Sequence, residues 1–344
     1  MRRAESLQRV AVRDCNARGP RRALRLAARL FAVLACVAPV SQAVAQSYPS
    51  RPIKMIVPFT PGTSMDIVAR TLGEKLYERL GQPVVVDNRP GATGIIGSDA
   101  VTKADPDGYT LLVTSNNIVV GPLLHKTVPF DPLKDFAPIT VTSYSALVLV
   151  ASNKSGIKSV AEMIARAKAN PGKLNYSSPG IGTTQHLSME ALKSVMNVNI
   201  VHVPYRGSAG ATTDLLSGEV DLGFVPIDIA NPHYKANAFK VLAVGSPQRH
   251  PMMPDVPTLE ESGVPDVESN PWHAVAAPKG TPRPIIDKLN SEIRAILALP
   301  DVREKLEGSG LKIQTSTPEE MQALMERDMA KSADLIRRNN ISVD

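Results

Sequence analysis

Along most of the chain, short runs of β-branched and aliphatic residues alternate with stretches whose apolar positions recur every three or four residues. Ile53–Phe59 has the pattern of a buried strand. After it, Met65, Val68, Leu72, Leu76 and Leu80 share one face of a predicted helix over Ser64–Leu80. The same reading predicts strands at Pro83–Val86 and Thr110–Thr114, with a helix at Gly94–Ala104 between them. A strand at Ala146–Ala151 precedes a helix at Val160–Ala169, and a strand at Leu174–Ser177 leads into a helix opening at Thr183. Strand Asn199–Val203, helix Ala209–Leu216, and strands Leu222–Val225 and Lys240–Val244 continue the alternation. Beyond Trp272–Ala277 the pattern turns helical, at Pro284–Leu297, Val302–Gly308 and Pro318–Arg338. Repeated β-α units predict parallel sheets covered by helices on both faces.

Two of the strand-to-helix junctions resemble each other. Val57-Pro58-Phe59-Thr60-Pro61-Gly62-Thr63-Ser64-Met65-Asp66 follows the first strand, and Ser177-Ser178-Pro179-Gly180-Ile181-Gly182-Thr183-Thr184-Gln185-His186 follows the Leu174 strand. Each passes through Gly/Pro punctuation and opens a helix with hydroxyl residues. A helix N-terminus offers unpaired N–H groups and a positive dipole end, so each junction is suited to a carboxylate or phosphate oxygen. Neither turn contains an Arg or Lys, which leaves backbone donors and hydroxyls to hold an anion.

The chain beyond Ala45 is too long for one compact core and suits two lobes. Two extended segments, Ser145–Ala151 outward and Pro271–Ala277 back, are predicted to join them. One lobe then comprises residues 48–147 plus 273–344 and the other residues 148–272. Both anion turns fall at strand carboxyl ends, where open α/β sheets place ligands, so the predicted site is the cleft between the lobes.

Charge changes this picture only through the N-terminus. The whole chain carries 39 basic and 33 acidic residues, net +6. Nine arginines and two acids lie in residues 1–45, which leaves 30 basic and 31 acidic residues beyond them. The basic pI near 9.3 is therefore mostly N-terminal, and a nucleic-acid partner is not predicted. A basic stretch, an apolar run from Leu30 to Val40 and Ala43-Val44-Ala45 describe a secretory signal peptide over residues 1–45, cleaved before Gln46. Both cysteines, Cys15 and Cys36, lie in it, so no disulfide or thiol chemistry is expected of the mature protein.

The six histidines (125, 186, 202, 233, 250 and 273) show no zinc-hydrolase spacing. There is no G-x-S-x-G elbow, P-loop or dinucleotide fingerprint. The chain is expected to be neither an enzyme nor a metal or cofactor protein. Several residues near the turns have structural as well as ligand-contact readings. Asp66 stands at the spacing of a helix-capping residue. His186 is either a core or capping histidine or a ligand neighbour, Tyr205 either a core aromatic or pocket lining, and Arg89 with Asp87 an ion pair.

From Tyr48 to about Ile341 the sequence resembles the substrate-binding receptors of tripartite tricarboxylate transporters, the Bug family of periplasmic solute-binding proteins. The resemblance rests on ordered blocks. They include Tyr48-Pro49-Ser50-Arg51-Pro52-Ile53, the Val57–Arg70 stretch, Leu80-Gly81-Gln82-Pro83, Pro106-Asp107-Gly108-Tyr109, Gly180–Leu187, His202-Val203-Pro204-Tyr205-Arg206-Gly207 and Ala277-Pro278-Lys279-Gly280. It implies an α/β, two-lobed type II periplasmic-binding fold, with two mixed sheets flanked by helices and a ligand cleft between the lobes. It also implies a periplasmic, monomeric receptor that captures a di-, tri- or aromatic carboxylate and passes it to membrane permease subunits. Presentation of the acid to a membrane sensor kinase is the alternative output, and a periplasmic hydrolase a remote one.

Carried over residue by residue, the family's ligand loops are Phe59, Thr63 and Ser64; Ser178, Gly182, Thr183, Thr184 and His186; and Ser115, Asn116 and Asn117, with Tyr205 from the His-Val-Pro-Tyr block. Three positions depart from the family pattern. Thr63 replaces the second glycine of Pro-Gly-Gly, Asn117 stands where a histidine is frequent, and Phe224-Val225-Pro226 replaces Phe-Asp-Asn. Val225 thereby removes a partner for a ligand amine or hydroxyl, which favours a less polar acid.

Overall fold

The computed structural model describes residues 48–342 of the chain. The predicted signal peptide and both cysteines lie outside those residues.

The first part of the chain runs β1 (Ile53–Val57), α1 (Ser64–Leu80), β2 (Val84–Asn88), α2 (Ile95–Thr102), β3 (Thr110–Ser115), α3 (Asn117–Leu124) and β4 (Phe136–Ser145). There follow β5 (Leu147–Ser152), α4 (Val160–Ala169), β6 (Asn175–Ser178), α5 (Thr184–Met196), β7 (Val201–Pro204), α6 (Ser208–Ser217), β8 (Leu222–Pro226), α7 (Ile227–Lys235) and β9 (Phe239–Val244). The last part contains β10 (Trp272–Pro278), α8 (Arg283–Leu297), α9 (Pro300–Gly308), β11 (Leu311–Ile313) and α10 (Pro318–Arg338).

These strands form two sheets, ordered β11-β4-β10-β3-β1-β2 and β7-β6-β8-β5-β9. Neither is wholly parallel, which corrects the expectation from the β-α alternation alone. β2, β1 and β3 are parallel, as are β7, β6 and β8, because helical crossovers join them. β10 runs antiparallel to β3 and β4, and β5 antiparallel to β8 and β9. Both β5 and β10 are the strands on which the chain arrives from the other sheet. No crossover helix delivers them, so nothing imposes the parallel sense.

Strand alternation sends side chains to both faces of the first sheet. Ile53, Met55 and Val57 pack with α1 and α8, whereas Ile56 packs on the opposite face with α2, α3 and α10. Four elements were not anticipated: α3, β4, α7 and β11. α3 is β-branched, contains Gly121 and Pro122, and is buried over most of its length, so no amphipathic stripe marks it. α7 has Pro232 in its interior. β4 buries Thr140, Thr142 and Ser143 among its apolar residues, which erases the alternation.

The two segments that pass between sheets are bonded to each other. Ser145 N–H donates to Pro271 O at 2.9 Å, Leu147 N–H to Ser269 O at 3.0 Å and Gly245 N–H to Leu147 O at 2.7 Å. A cavity of about 490 Å³ lies at this crossing, lined among others by Tyr144, Ala146, His250 and Lys312. It is separate from the anion turns.

Candidate ligand-binding site

β1 and β3 of the first sheet, and β6, β7 and β8 of the second, each end in a helix N-terminus. The two turns singled out in the sequence adopt the same backbone. Gly62 and Gly182 have φ of +85° and +78°, in the left-handed region where glycine is favoured. Thr63 and Thr183 are then the helix N-caps, at φ/ψ of −75°/161° and −67°/155°.

The match extends to side chains. Gly62 N–H donates to the Asp66 carboxylate at 2.9 Å, and Gly182 N–H donates to His186 Nδ1 at 3.1 Å. In each turn, therefore, a side chain four residues along the helix holds the glycine amide. Asp66 thus has a structural role, bonding Gly62 instead of reciprocating with Thr63. Burial by itself would raise the Asp66 pKa. Hydrogen bonds from Arg70, the Gly62 N–H and Asn88 outweigh burial and hold it below the usual carboxylate range. Asn88 also donates to Phe59 O at 3.1 Å, which ties the end of β2 to the first turn. Asp66→Ala is expected to strand the Gly62 and Asn88 donors and cost about 2 kcal/mol of stability by denaturant unfolding. An unchanged unfolding midpoint would remove Asp66 from this role.

Behind the second turn is a buried polar cluster. The His186 and His202 rings stack at 4.1 Å, Tyr176 stacks on His202 at 4.8 Å, and Ser178 Oγ lies 2.6 Å from His202 Nε2. Tyr176 donates to Glu190 at 2.6 Å, and Lys193 pairs with the same carboxylate at 2.6 Å. Burial, followed by the neighbouring His202, depresses the His186 pKa to about 4, and burial also lowers that of His202. Both rings are therefore neutral near pH 7, and the Nδ1 lone pair of His186 is free to accept.

Thr183 Oγ1 donates to Gly180 O at 2.8 Å and accepts from His186 N–H at 3.4 Å, so this hydroxyl shapes the turn. Thr184 Oγ1 reaches Asn117 Oδ1 at 3.4 Å, joining a helix of the second sheet to α3 of the first. Ser115 Oγ accepts from Asn117 N–H at 3.3 Å, so the third predicted loop is itself the start of a helix. Asn116 Oδ1 is buried without a partner. Phe59 packs beside Gly94, and Gly121 and Leu124 of α3 link that region to Gly182. Phe59, Ser115–Asn117 and Gly182–Thr184 thus form one continuous neighbourhood.

Tyr205 is placed less centrally, with its hydroxyl donating to Asp214 at 2.5 Å and its ring beside Gly210. Arg89 and Asp87 form the expected ion pair at 2.9 Å. A small cleft at the carboxyl ends of β6 and β8 is lined by Pro179, Gln185, Ser208, Thr212, Phe224 and Val225, among others. Val225 was anticipated there, whereas Gln185, Ser208 and Thr212 were not. The signal for Ser208 was present in Gly207-Ser208-Ala209-Gly210, another run of small residues opening a helix at a strand end. Among the described residues, no cluster of His, Cys, Asp or Glu could hold a metal ion, and no helix is long and apolar enough to cross a membrane.

Two mixed α/β sheets, crossed twice by the chain and carrying matched helix-terminus turns, define the two-lobed fold of periplasmic solute-binding proteins. Residues 68–341 match the model of the tripartite tricarboxylate transporter family receptor, and the chain belongs to that family. It is 40% identical over 312 residues to a Pseudomonas sp. (strain P51) protein described as a UPF0065 protein in the tcbD-tcbE intergenic region, covering 90% of this chain and 93% of the relative. It is 38% identical to protein BugT of Bordetella pertussis over 309 residues, 89% of this chain and 94% of BugT. The solved structure of R. palustris Rpa4515 with adipate has a TM-score of 0.77 at 34% identity, covering 86% of this chain and 99% of that one. MatC (Rpa3494) of Rhodopseudomonas palustris with bound malate has a TM-score of 0.73 at 29% identity, covering 84% and 100%.

Proposed function

We propose that this protein is a periplasmic receptor that captures a small carboxylate between its two lobes and delivers it to the membrane subunits of a tripartite transporter. The observation that carries this reading is the matched pair of glycine-threonine turns at helix N-termini, one from each sheet. At the second turn, the N–H groups of Thr184 and Gln185 open α5 and have no preceding helical carbonyl to reach, so they are the donors for a ligand carboxylate. Relatives bound to adipate and to malate support the ligand class. The lobes, residues 48–147 plus 273–344 and residues 148–272, close on the ligand about the bonded crossing segments near Ser145 and Pro271.

Val225 and Phe224 line the cleft beside Ser208 where the family carries a polar aspartate, which favours an acid with an unsubstituted body. A thermal-shift and calorimetry screen of mono-, di- and tricarboxylates tests both points. A cognate acid at 100 times its Kd adds about 2.7 kcal/mol of stability. An unsubstituted diacid such as adipate is expected to bind at least tenfold more tightly than malate. Equal or reversed affinities would remove the specificity argument, and no stabilisation by any carboxylate would remove the function.

A further inference from the structure

We infer that His186 is a positioning residue for the acid site. The lone pair on its Nδ1, and not the bulk of its ring, holds the second anion turn in its binding shape. This inference rests on the reading of that turn as the carboxylate site and extends it to the residue that builds the turn.

All five backbone N–H groups from Gly182 to His186 are accounted for or directed outward, that of His186 going to Thr183 Oγ1 at 3.4 Å. Gly182 N–H goes to His186 Nδ1, Thr183 N–H to Gly180 O at 3.4 Å, and those of Thr184 and Gln185 emerge from the helix end. Rotating the Gly182 peptide to seek another acceptor would turn the Thr183–Gln185 donors with it. The bond from Gly182 to His186 therefore fixes the direction in which the free donors point. The ring is held in its own place from the other side by His202, stacked at 4.1 Å.

The first turn shows that the requirement is for an acceptor atom. There the same glycine amide, with nearly the same φ, is held by the carboxylate of Asp66 at the same four-residue offset. Histidine Nδ1 and aspartate Oδ are both two bonds from Cβ, so the two side chains deliver their acceptors to equivalent points. The residues share neither charge, ring nor size. What they have in common is a lone pair at that point, aimed at a glycine N–H.

The two acceptors differ in how they respond to protons. Asp66 keeps three donors around it, including Arg70. His186 faces His202 from β7, Glu190 and Lys193 from its own helix, and Tyr176 from β6. Protonating Nδ1 converts the acceptor into a second donor against the Gly182 N–H, so the bond cannot survive the charge. The second turn is thereby the one that acid opens.

Three variants and one spectroscopic measurement test this. In ligand-free parent protein, the Gly182 amide resonance should move as His186 titrates on acidification and its hydrogen exchange should accelerate at least tenfold more than that of Gly62. In His186→Asn, Oδ1 replaces Nδ1 at the same point, so affinity for the cognate acid at pH 7 should stay within about threefold of the parent and the Gly182 amide should no longer titrate. His186→Phe retains a ring against His202 but has no lone pair, and His186→Ala has neither; both should bind at least tenfold more weakly, with a fast-exchanging Gly182 amide. Circular dichroism and melting identify any variant that does not fold, and the parent and Asn arms decide the matter without it. Parent-like binding and exchange in His186→Phe, or a Gly182 amide indifferent to His186 protonation, would overturn the inference. If the amide follows His186 but no carboxylate binds the parent, the brace stands and the proposed function fails.

Discussion

Gly182→Ala is expected to cost about 2–5 kcal/mol of stability and to weaken binding of the cognate acid by at least a hundredfold. At φ +78° an alanine costs about 1–2 kcal/mol from its Cβ against the following carbonyl. At this position the added Cβ also collides with the side chain of Leu124, which is only 4% exposed in the core. Forcing that side chain aside adds an overpacking cost of about 1–3 kcal/mol. Gly62 provides the control. Its φ is +85°, but a Cβ there meets nothing within 4 Å. Gly62→Ala should therefore pay the backbone cost alone, about 1–2 kcal/mol. Urea unfolding separates the two variants, and calorimetry shows whether binding follows. Gly182→Ala combined with Leu124→Ala should recover part of the affinity while remaining less stable than the parent. Equal losses in the two glycine variants would mean that the packing of the second turn on α3 is unimportant.

Acidification is the second large effect. Burial lowers the pKa of both His273 and His186 to about 4. His273 is 3% exposed and its Nδ1 lies 3.0 Å from Ser143 Oγ, inside the first sheet. Because the folded pKa lies below the unfolded value near 6.5, the unfolded chain binds more protons between those two pH values. Stability therefore rises with pH through this window, is fully present above about pH 6.5 and falls as pH drops toward 4. A shift of this size corresponds to about 3 kcal/mol for each histidine. Unfolding free energies from denaturant titrations at pH 7 and pH 4.5 should differ by several kcal/mol in total, and His273→Phe should show a smaller difference because one of the contributing groups no longer titrates. Pairs such as Arg283 with Glu319 sit in solvent and are expected to contribute little to this change. A stability that is level from pH 7 to pH 4.5 would show that these rings are not held neutral by burial.

The local order along the chain was legible in the amino-acid sequence by itself. Helices over Ser64–Leu80, Val160–Ala169 and Pro318–Arg338 have the predicted bounds, because an amphipathic period and its punctuation are local properties. The matched glycine-threonine turns were equally local, as was their position at strand ends. Tertiary structure decided what periodicity cannot encode. The antiparallel entry of β5 and β10 depends on the chain arriving from the other sheet, and α3 and β4 are hidden because burial on several sides removes the contrast between faces. The clearest case lies within the site. Gly62-Thr63-x-x-Asp66 and Gly182-Thr183-x-x-His186 look alike as strings, but only the folded chain puts Leu124 against Gly182 and leaves Gly62 open. It likewise stacks His202 on His186, a neighbour sixteen positions away that comes from β7. A side chain's acceptor role and its protonation state follow from what surrounds it. Those surroundings are assembled from distant segments, which is why the sequence located the turns and only the structure explained how they are held.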